Sequence, residues 1–238
     1  MRGLSHARAR DYADAVRFQA IIFDFDGVIV DSEVVANAAL AEVLSRAGCP
    51  TRGDEAVALY SGLRWSDCHR RIEEVTGRRF DADALGREVD EAVAARAAEV
   101  LAIEGLEPFL AAQAHRRLAI ASSSEKDWLD ATLARLGLAH FFGGDVFSAA
   151  RFPRGKPHPD IYLHAARRLQ IDARSCLVIE DHPVGVAAGA AAGMTVIALL
   201  AAGHIGEGHA DRVRAAGAGH VARDYREVAG IIAELERD

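Results

Sequence analysis

The chain alternates short solid blocks of apolar residues with longer stretches in which apolar positions return every three or four residues. Four blocks are continuous: AIIFDFD (20–26), RLAIASS (117–123), SCLVIED (175–181) and MTVIALL (194–200). Continuous apolar blocks of this length fit parallel strands covered on both faces, whereas a half-exposed strand would alternate. DVFSAA (145–150) is a weaker fifth candidate. Helical periodicity fills the intervals, as in EKDWLDATLARLGL (125–138) and DIYLHAARRLQI (160–171). Strand and helix in alternation predict an α/β fold with a doubly wound parallel sheet.

One interval breaks the alternation. After the first block, residues 34–105 contain helical patterns only, in VVANAALAEVLSRAG, SDCHRRIEEVTG and DALGREVDEAVAARAAEVL. An all-helical insertion directly after the first strand predicts a small cap over the strand ends. The expected division is an N-terminal extension (1–17), an α/β core (18–33 and 106–238) and a helical cap (34–105). The stretch 199–220, rich in Ala, Gly and His, is expected to be loop and helix.

Composition narrows the function. The chain has 238 residues, half of them hydrophobic, and a formal net charge of −7. An acidic chain poor in aromatics does not suit nucleic acid, whose binders carry basic patches. An anionic substrate must then meet local positive charge or a bound metal ion. Cys49, Cys68 and Cys176 are widely spaced and form no metal-binding pair, which predicts reduced thiols and a cytoplasmic location. No apolar run approaches a membrane span in length, and the charged first residues lack a signal-peptide core. The chain is expected to be a monomer or a weak homodimer.

The polar residues that could carry chemistry cluster at predicted strand ends, where open parallel sheets bind their ligands. Asp24, Asp26 and Gly27 close the first block, Ser122 to Ser124 the second, and Glu180, Asp181 and His182 the block SCLVIED; Lys156 stands in GKPHPD just before a helix. Asp24, Asp26, Glu180 and Asp181 are hard oxygen donors without a nearby thiol, which suits Mg²⁺. Lys156 can pair with a carboxylate or a phosphate oxygen, and Ser122 can donate to the same phosphate. Together these groups suit phosphoryl transfer, where catalysis is mostly positioning and charge stabilisation. A carboxylate beside the metal can serve as the nucleophile.

The ordered set D-x-D-G-V-x-x-D-S, A-S-S, G-K-P-x-P-D and I-E-D-x-x-x-G resembles the haloacid dehalogenase-like hydrolases, in the group of small phosphatases and β-phosphoglucomutase. The likeness runs from about Phe18 to the C-terminus. It implies a Rossmann-like core with a helical cap, and a Mg²⁺-dependent phosphatase acting on a small phosphorylated metabolite through an aspartyl-phosphate. Asp24 matches the nucleophile and a metal ligand. Asp26 matches the general acid/base, with its backbone carbonyl on the metal. Ser122 matches the phosphate-binding hydroxyl, Lys156 the cation beside nucleophile and phosphate, and Glu180 and Asp181 the acidic pair, Asp181 being the more direct ligand. Gly27 allows a tight turn near the phosphate, and the Ser123 backbone is a further phosphate contact. In the cap, SGLRWSD (61–67) matches a turn whose basic residue reaches the substrate, which gives Arg64 that role and lets Trp65 line the pocket.

The alternative within the family is a phosphomutase. Similar mutases carry a histidine where this chain has Ala36, which favours hydrolysis. A phospho-accepting receiver module would need about half this length and no cap, and Asp26 argues against dehalogenation. Asp31 and Ser32 are expected to cap the following helix. His158 and His182 match no required role. His204, His209 and His220 are expected on the surface or in loops, and Cys176 as a buried thiol.

Overall fold

A computed structural model describes residues 17–61, 63, 65–149 and 152–237. Most of the N-terminal extension, Arg64 and the end of DVFSAA therefore lie outside the described residues. The described residues hold a six-stranded parallel sheet and ten helices. The strands are β1 (Ala20–Phe23), β2 (Arg117–Ser122), β3 (Val146–Ser148), β4 (Cys176–Glu180), β5 (Thr195–Leu199) and β6 (His220–Ala222). The helices are α1 (Ser32–Arg46), α2 (Gly53–Tyr60), α3 (Trp65–Thr76), α4 (Ala82–Ala95), α5 (Leu106–Ala112), α6 (Lys126–Arg135), α7 (Asp160–Leu169), α8 (Pro183–Ala191), α9 (His209–Ala215) and α10 (Tyr225–Leu235).

The sheet order is β3-β2-β1-β4-β5-β6, with β1 at its centre. All four residues of β1 and all five of β4 are buried, as their unbroken apolar composition requires. One face of the sheet, including Ile22, Ala119, Val178 and Val196, packs on Ile161, Tyr162 and Ala165 of α7 and on Val186 of α8. Phe23 points to the other face, edge-on to Phe109 of α5 and to Phe142. The chain winds outward from β1 in one direction and from β4 in the other, so the topological switch lies between these two strands. Ligand crevices form at such points, beyond the carboxyl ends of the strands.

Close packing groups the described residues into two compact units. One holds the sheet (residues up to 29, 103–201 and 207 onward); the other comprises Val30–Ala102 with Ala202–Gly206. The core of the second unit is Leu40, Val43 and Leu44 of α1, Ala56 and Tyr60 of α2, Cys68 and Ile72 of α3, and Leu85 of α4. The short segment after β5 joins this unit closely: Gly203 N–H donates to Asp31 Oδ2 at 3.0 Å, and a side chain at Gly203 would press on Val34.

Several elements depart from the periodicity. Asp31 precedes α1, yet its carboxylate makes no cap bond; it turns instead to Gly203, because a distant N–H competes for the same oxygen. The region 199–220 holds α9 as expected, but His220 opens β6, a three-residue strand too short and too polar to register as an apolar block. Helix α2 is likewise too short to display a period. No helix among the described residues is long and apolar enough to cross a membrane.

Candidate active site

Strand register brings the acidic residues together. Phe23 pairs with Ile179 of β4 and with Ile120 of β2, so Asp24 lies level with Glu180 on one side and with Ala121, one residue before Ser122, on the other. Asp24 N–H donates to Ile179 O at 2.9 Å, which carries the ladder one residue past β1. The chain then turns: Ile29 N–H returns to Phe25 O at 2.8 Å, with Gly27 at φ +79°. Glycine is required here for two separate reasons. The left-handed backbone disfavours a side chain, and a Cβ would lie 1.9 Å from Asp181 Oδ2. The D-x-D-G motif thus makes room for a carboxylate delivered by another strand.

Oxygens of Asp24, Glu180 and Asp181 lie within 4.8 Å of one another. Lys156, its side chain only 6% exposed, donates from Nζ to Asp24 Oδ1 at 2.8 Å and to Glu180 Oε1 at 2.7 Å. Its ammonium also stands 5.0 Å from the centre of the Tyr162 ring. Four donors hold Glu180. Oε1 accepts from Lys156 and from the Tyr162 hydroxyl (3.1 Å), while Oε2 accepts from the backbone N–H groups of Asp181 and His182, both at 2.9 Å. Gly185 in the first turn of α8 leaves space for it, since a Cβ there would meet Glu180 Oε1 at 1.5 Å.

The electrostatics follow from burial. Desolvation pushes Asp24 well above the ordinary carboxylate range, and Glu180 and Asp181 add to it against the opposing charge of Lys156. Burial alone would lower Lys156, but Asp24 and Glu180 outweigh it and hold the ammonium well above its usual value. Burial beside Glu180 also raises Tyr162, which stays a neutral phenol able to donate. Three carboxylates facing one lysine leave an excess of negative charge. The donor set is all oxygen, without thiol or imidazole, and so fits a hard divalent cation of the Mg²⁺ kind.

The second side of the site comes from β2 and β3. Ser122 is buried, and its Oγ accepts from Ser124 N–H at 3.0 Å. The Ser124 hydroxyl in turn donates to Asp26 Oδ2 at 2.6 Å. Ser123 is exposed. His182 caps α8, with Nδ1 accepting from Val184 N–H at 3.3 Å, and His158 is exposed. His209 corrects the sequence expectation: it is buried, with Nε2 2.6 Å from Asp181 O and Nδ1 3.1 Å from Arg212. A carbonyl only accepts and a guanidinium only donates, so the ring is the neutral tautomer with its proton on Nε2. In the helical unit, Trp65 donates from Nε1 to Ala82 O at 3.2 Å and lies against Gly86 of α4; Arg64 is outside the described residues.

Tyr162 and His209 were not marked by the sequence motifs, and Ser124 was marked only as one of three serines closing the second block. Tyr162 offered a signal, as a hydroxyl on the apolar stripe of a helix just after G-K-P-x-P-D. His209 offered none, because its partner is a backbone carbonyl 28 residues away.

Comparison with known proteins identifies the family. The family model described as haloacid dehalogenase-like hydrolase matches residues 18–193. Fructose-1-phosphate phosphatase YqaB of Escherichia coli (strain K12) is 32% identical over 187 residues, which cover 76% of this chain and 96% of that protein. Hexitol phosphatase A of the same organism is 30% identical over 192 residues, covering 78% and 85% respectively. Among solved structures, a HAD family hydrolase from Deinococcus radiodurans R1 with bound phosphate and sodium superposes with a TM-score of 0.81 at 33% identity, over 92% of this chain and 96% of the other.

Proposed function

The chain belongs to the haloacid dehalogenase-like hydrolases, and from that membership we propose a Mg²⁺-dependent phosphatase that hydrolyses a small phosphorylated metabolite, a sugar phosphate or phosphorylated organic acid, through an aspartyl-phosphate on Asp24. The observation that carries this reading is the buried contact of Asp24 with Lys156, inside a cluster of three carboxylates at the switch point of the sheet. The relatives named as sugar phosphatases support the substrate class.

Each residue has a task in this reading. Asp24, Asp181 and the Asp26 carbonyl would hold the Mg²⁺, which supplies positive charge to the phosphoryl oxygens and offsets the crowded carboxylates. A carboxylate oxygen of Asp24 attacks phosphorus. As the bond from phosphorus to the leaving oxygen breaks, Asp26 gives that oxygen a proton. Asp26 then takes a proton from water, whose oxygen attacks the same phosphorus and releases phosphate from Asp24. Lys156 steadies the nucleophile and the transferred group, and the Ser122 hydroxyl donates to a phosphoryl oxygen. Glu180, with its oxygens engaged by four donors, adds charge to the cluster and orients Lys156.

The test is turnover of a panel of phosphorylated metabolites with Mg²⁺ and with excess chelator, together with trapping of the phosphoenzyme. Turnover should vanish with chelator and return with Mg²⁺, and Asp24→Asn should form no phosphoenzyme. Full turnover in chelator, or wild-type phosphorylation of Asp24→Asn, would remove this mechanism.

A further inference from the structure

We infer that the Tyr162 hydroxyl is a positioning group for Lys156: by sharing Oε1 of Glu180 with the ammonium, it loosens the glutamate's hold and leaves the lysine to Asp24 and the transferred phosphoryl group. The inference rests on the role assigned above to Lys156.

Packing does not account for the hydroxyl. Tyr162 is fully buried on the apolar stripe of α7, in the cluster of Ile161, Ala165, Ala166 and Leu169, where phenylalanine would pack equally well. A buried hydroxyl costs free energy unless it is hydrogen-bonded. That of Tyr162 reaches Glu180 Oε1 at 3.1 Å, across 18 residues of sequence. Burial raises its pKa and Glu180 adds to the rise, so the group is a neutral phenol with a proton to give.

Lys156 uses the same acceptor. Its ammonium lies 2.7 Å from Glu180 Oε1 and 2.8 Å from Asp24 Oδ1, so the two carboxylates share it almost evenly. The other glutamate oxygen is taken by the N–H groups of Asp181 and His182. The charge on Oε1 is therefore met by Lys156 and Tyr162. Without the phenol, Lys156 meets it alone, and in a buried site an undivided charge attracts strongly. The lysine is then drawn toward Glu180 and away from Asp24. The proposed chemistry needs the reverse. Asp24 gives up its negative charge as its oxygen bonds to phosphorus, and at that moment the ammonium must follow the phosphoryl oxygens.

Tyr162→Phe keeps the ring beside the ammonium and the packing of α7, and removes only the hydroxyl. It should lower kcat/KM by about 10-fold, the low end for a hydrogen bond to a charged group. The loss should be the same for a hexitol phosphate and for p-nitrophenyl phosphate, because the lysine serves the nucleophile and the phosphoryl group, not the leaving oxygen. Inorganic phosphate, as a competitive inhibitor, should bind about 10-fold more weakly, which a purely structural role would not produce. Glu180→Gln removes the competing charge, so adding Tyr162→Phe to it should change kcat/KM by less than about 2-fold.

Lys156→Met, assayed with Mg²⁺, serves as the reference and should show both losses more strongly. If it does and Tyr162→Phe shows neither, the hydroxyl has no positioning role. A fall in kcat with phosphate affinity unchanged, a loss confined to the hexitol phosphate, or an undiminished loss in the Glu180→Gln background also overturns the inference. If Lys156→Met itself turns over normally, the role of Lys156 falls, and this inference with it.

Discussion

The strand ends of the α/β unit and the helices of residues 30–102 handle charge in opposite ways. At the strand ends, Lys156 and Glu180 are 6% and 1% exposed and share one contact, reached across the sheet from separate segments. In the helical unit, two pairs are local and wet: Arg70 with Asp67 and Arg46 with Glu42 each join neighbouring turns of one helix, with every partner more than 40% exposed. Exposed pairs of this kind contribute little, whereas a buried charge without its partner is strongly destabilising. The helical unit is therefore held by its apolar core and tolerates changes in charge. The sheet edge holds a set of charges that only makes sense as a set.

Breaking that set should give the largest effect. Lys156→Met leaves Asp24 and Glu180 buried without their cation, and in chelator it should cost about 3–5 kcal/mol in denaturant unfolding. Added Mg²⁺ should recover part of the stability but little of the activity. A variant as stable as the parent in chelator would show that the lysine does not balance the cluster. Gly185→Ala should come next. Its Cβ would overlap Glu180 Oε1 and displace a carboxylate held by four donors, at about 1–3 kcal/mol, with a matching loss of kcat. Tolerance of alanine there would mean that Glu180 can move without consequence.

A pH series sharpens the same comparison. The folded pKa of Asp24 is raised, first by burial and then by its carboxylate neighbours. Its contribution to stability is then fully present below the unfolded carboxylate value and is lost as pH rises through the raised folded value. In chelator the melting temperature should fall across that window. Mg²⁺ competes with the proton, so the stabilisation by Mg²⁺ should widen over the same range, and Asp24→Asn should flatten the dependence. A Mg²⁺ shift constant with pH would count against Asp24 as a ligand. The smallest effect belongs to the helical unit, where Arg70→Ala should change stability by no more than about 0.5 kcal/mol. A larger loss in thermal melts would mean that the exposed pairs carry weight after all.

The α/β class and the grouping of Asp24, Lys156, Glu180 and Asp181 were legible in the chain for one reason. Parallel strands buried on both faces must be continuous apolar blocks, and whatever polar residue ends such a block stands at the ligand edge. Short elements were not legible, because β6 and α2 are too brief to show a period. Asp31 misled because a residue before a helix has the right chemistry to cap it, and nothing nearby in sequence announces Gly203.

The sequence by itself determined the order of elements, the chemical types gathered at the strand ends and the need for glycine after Asp26. Tertiary structure alone decided how those groups divide their work. Register sets Asp24 beside Glu180, and Lys156 and Tyr162 converge on one oxygen of Glu180. The Ser122–Ser148 pairing places Ser124 on Asp26, and His209 meets the carbonyl of Asp181. The physical reason is that strand identity is written in local hydrophobicity, while a hydrogen-bond partner depends on which distant segment arrives at the right distance and angle. That is fixed only when the whole sheet closes.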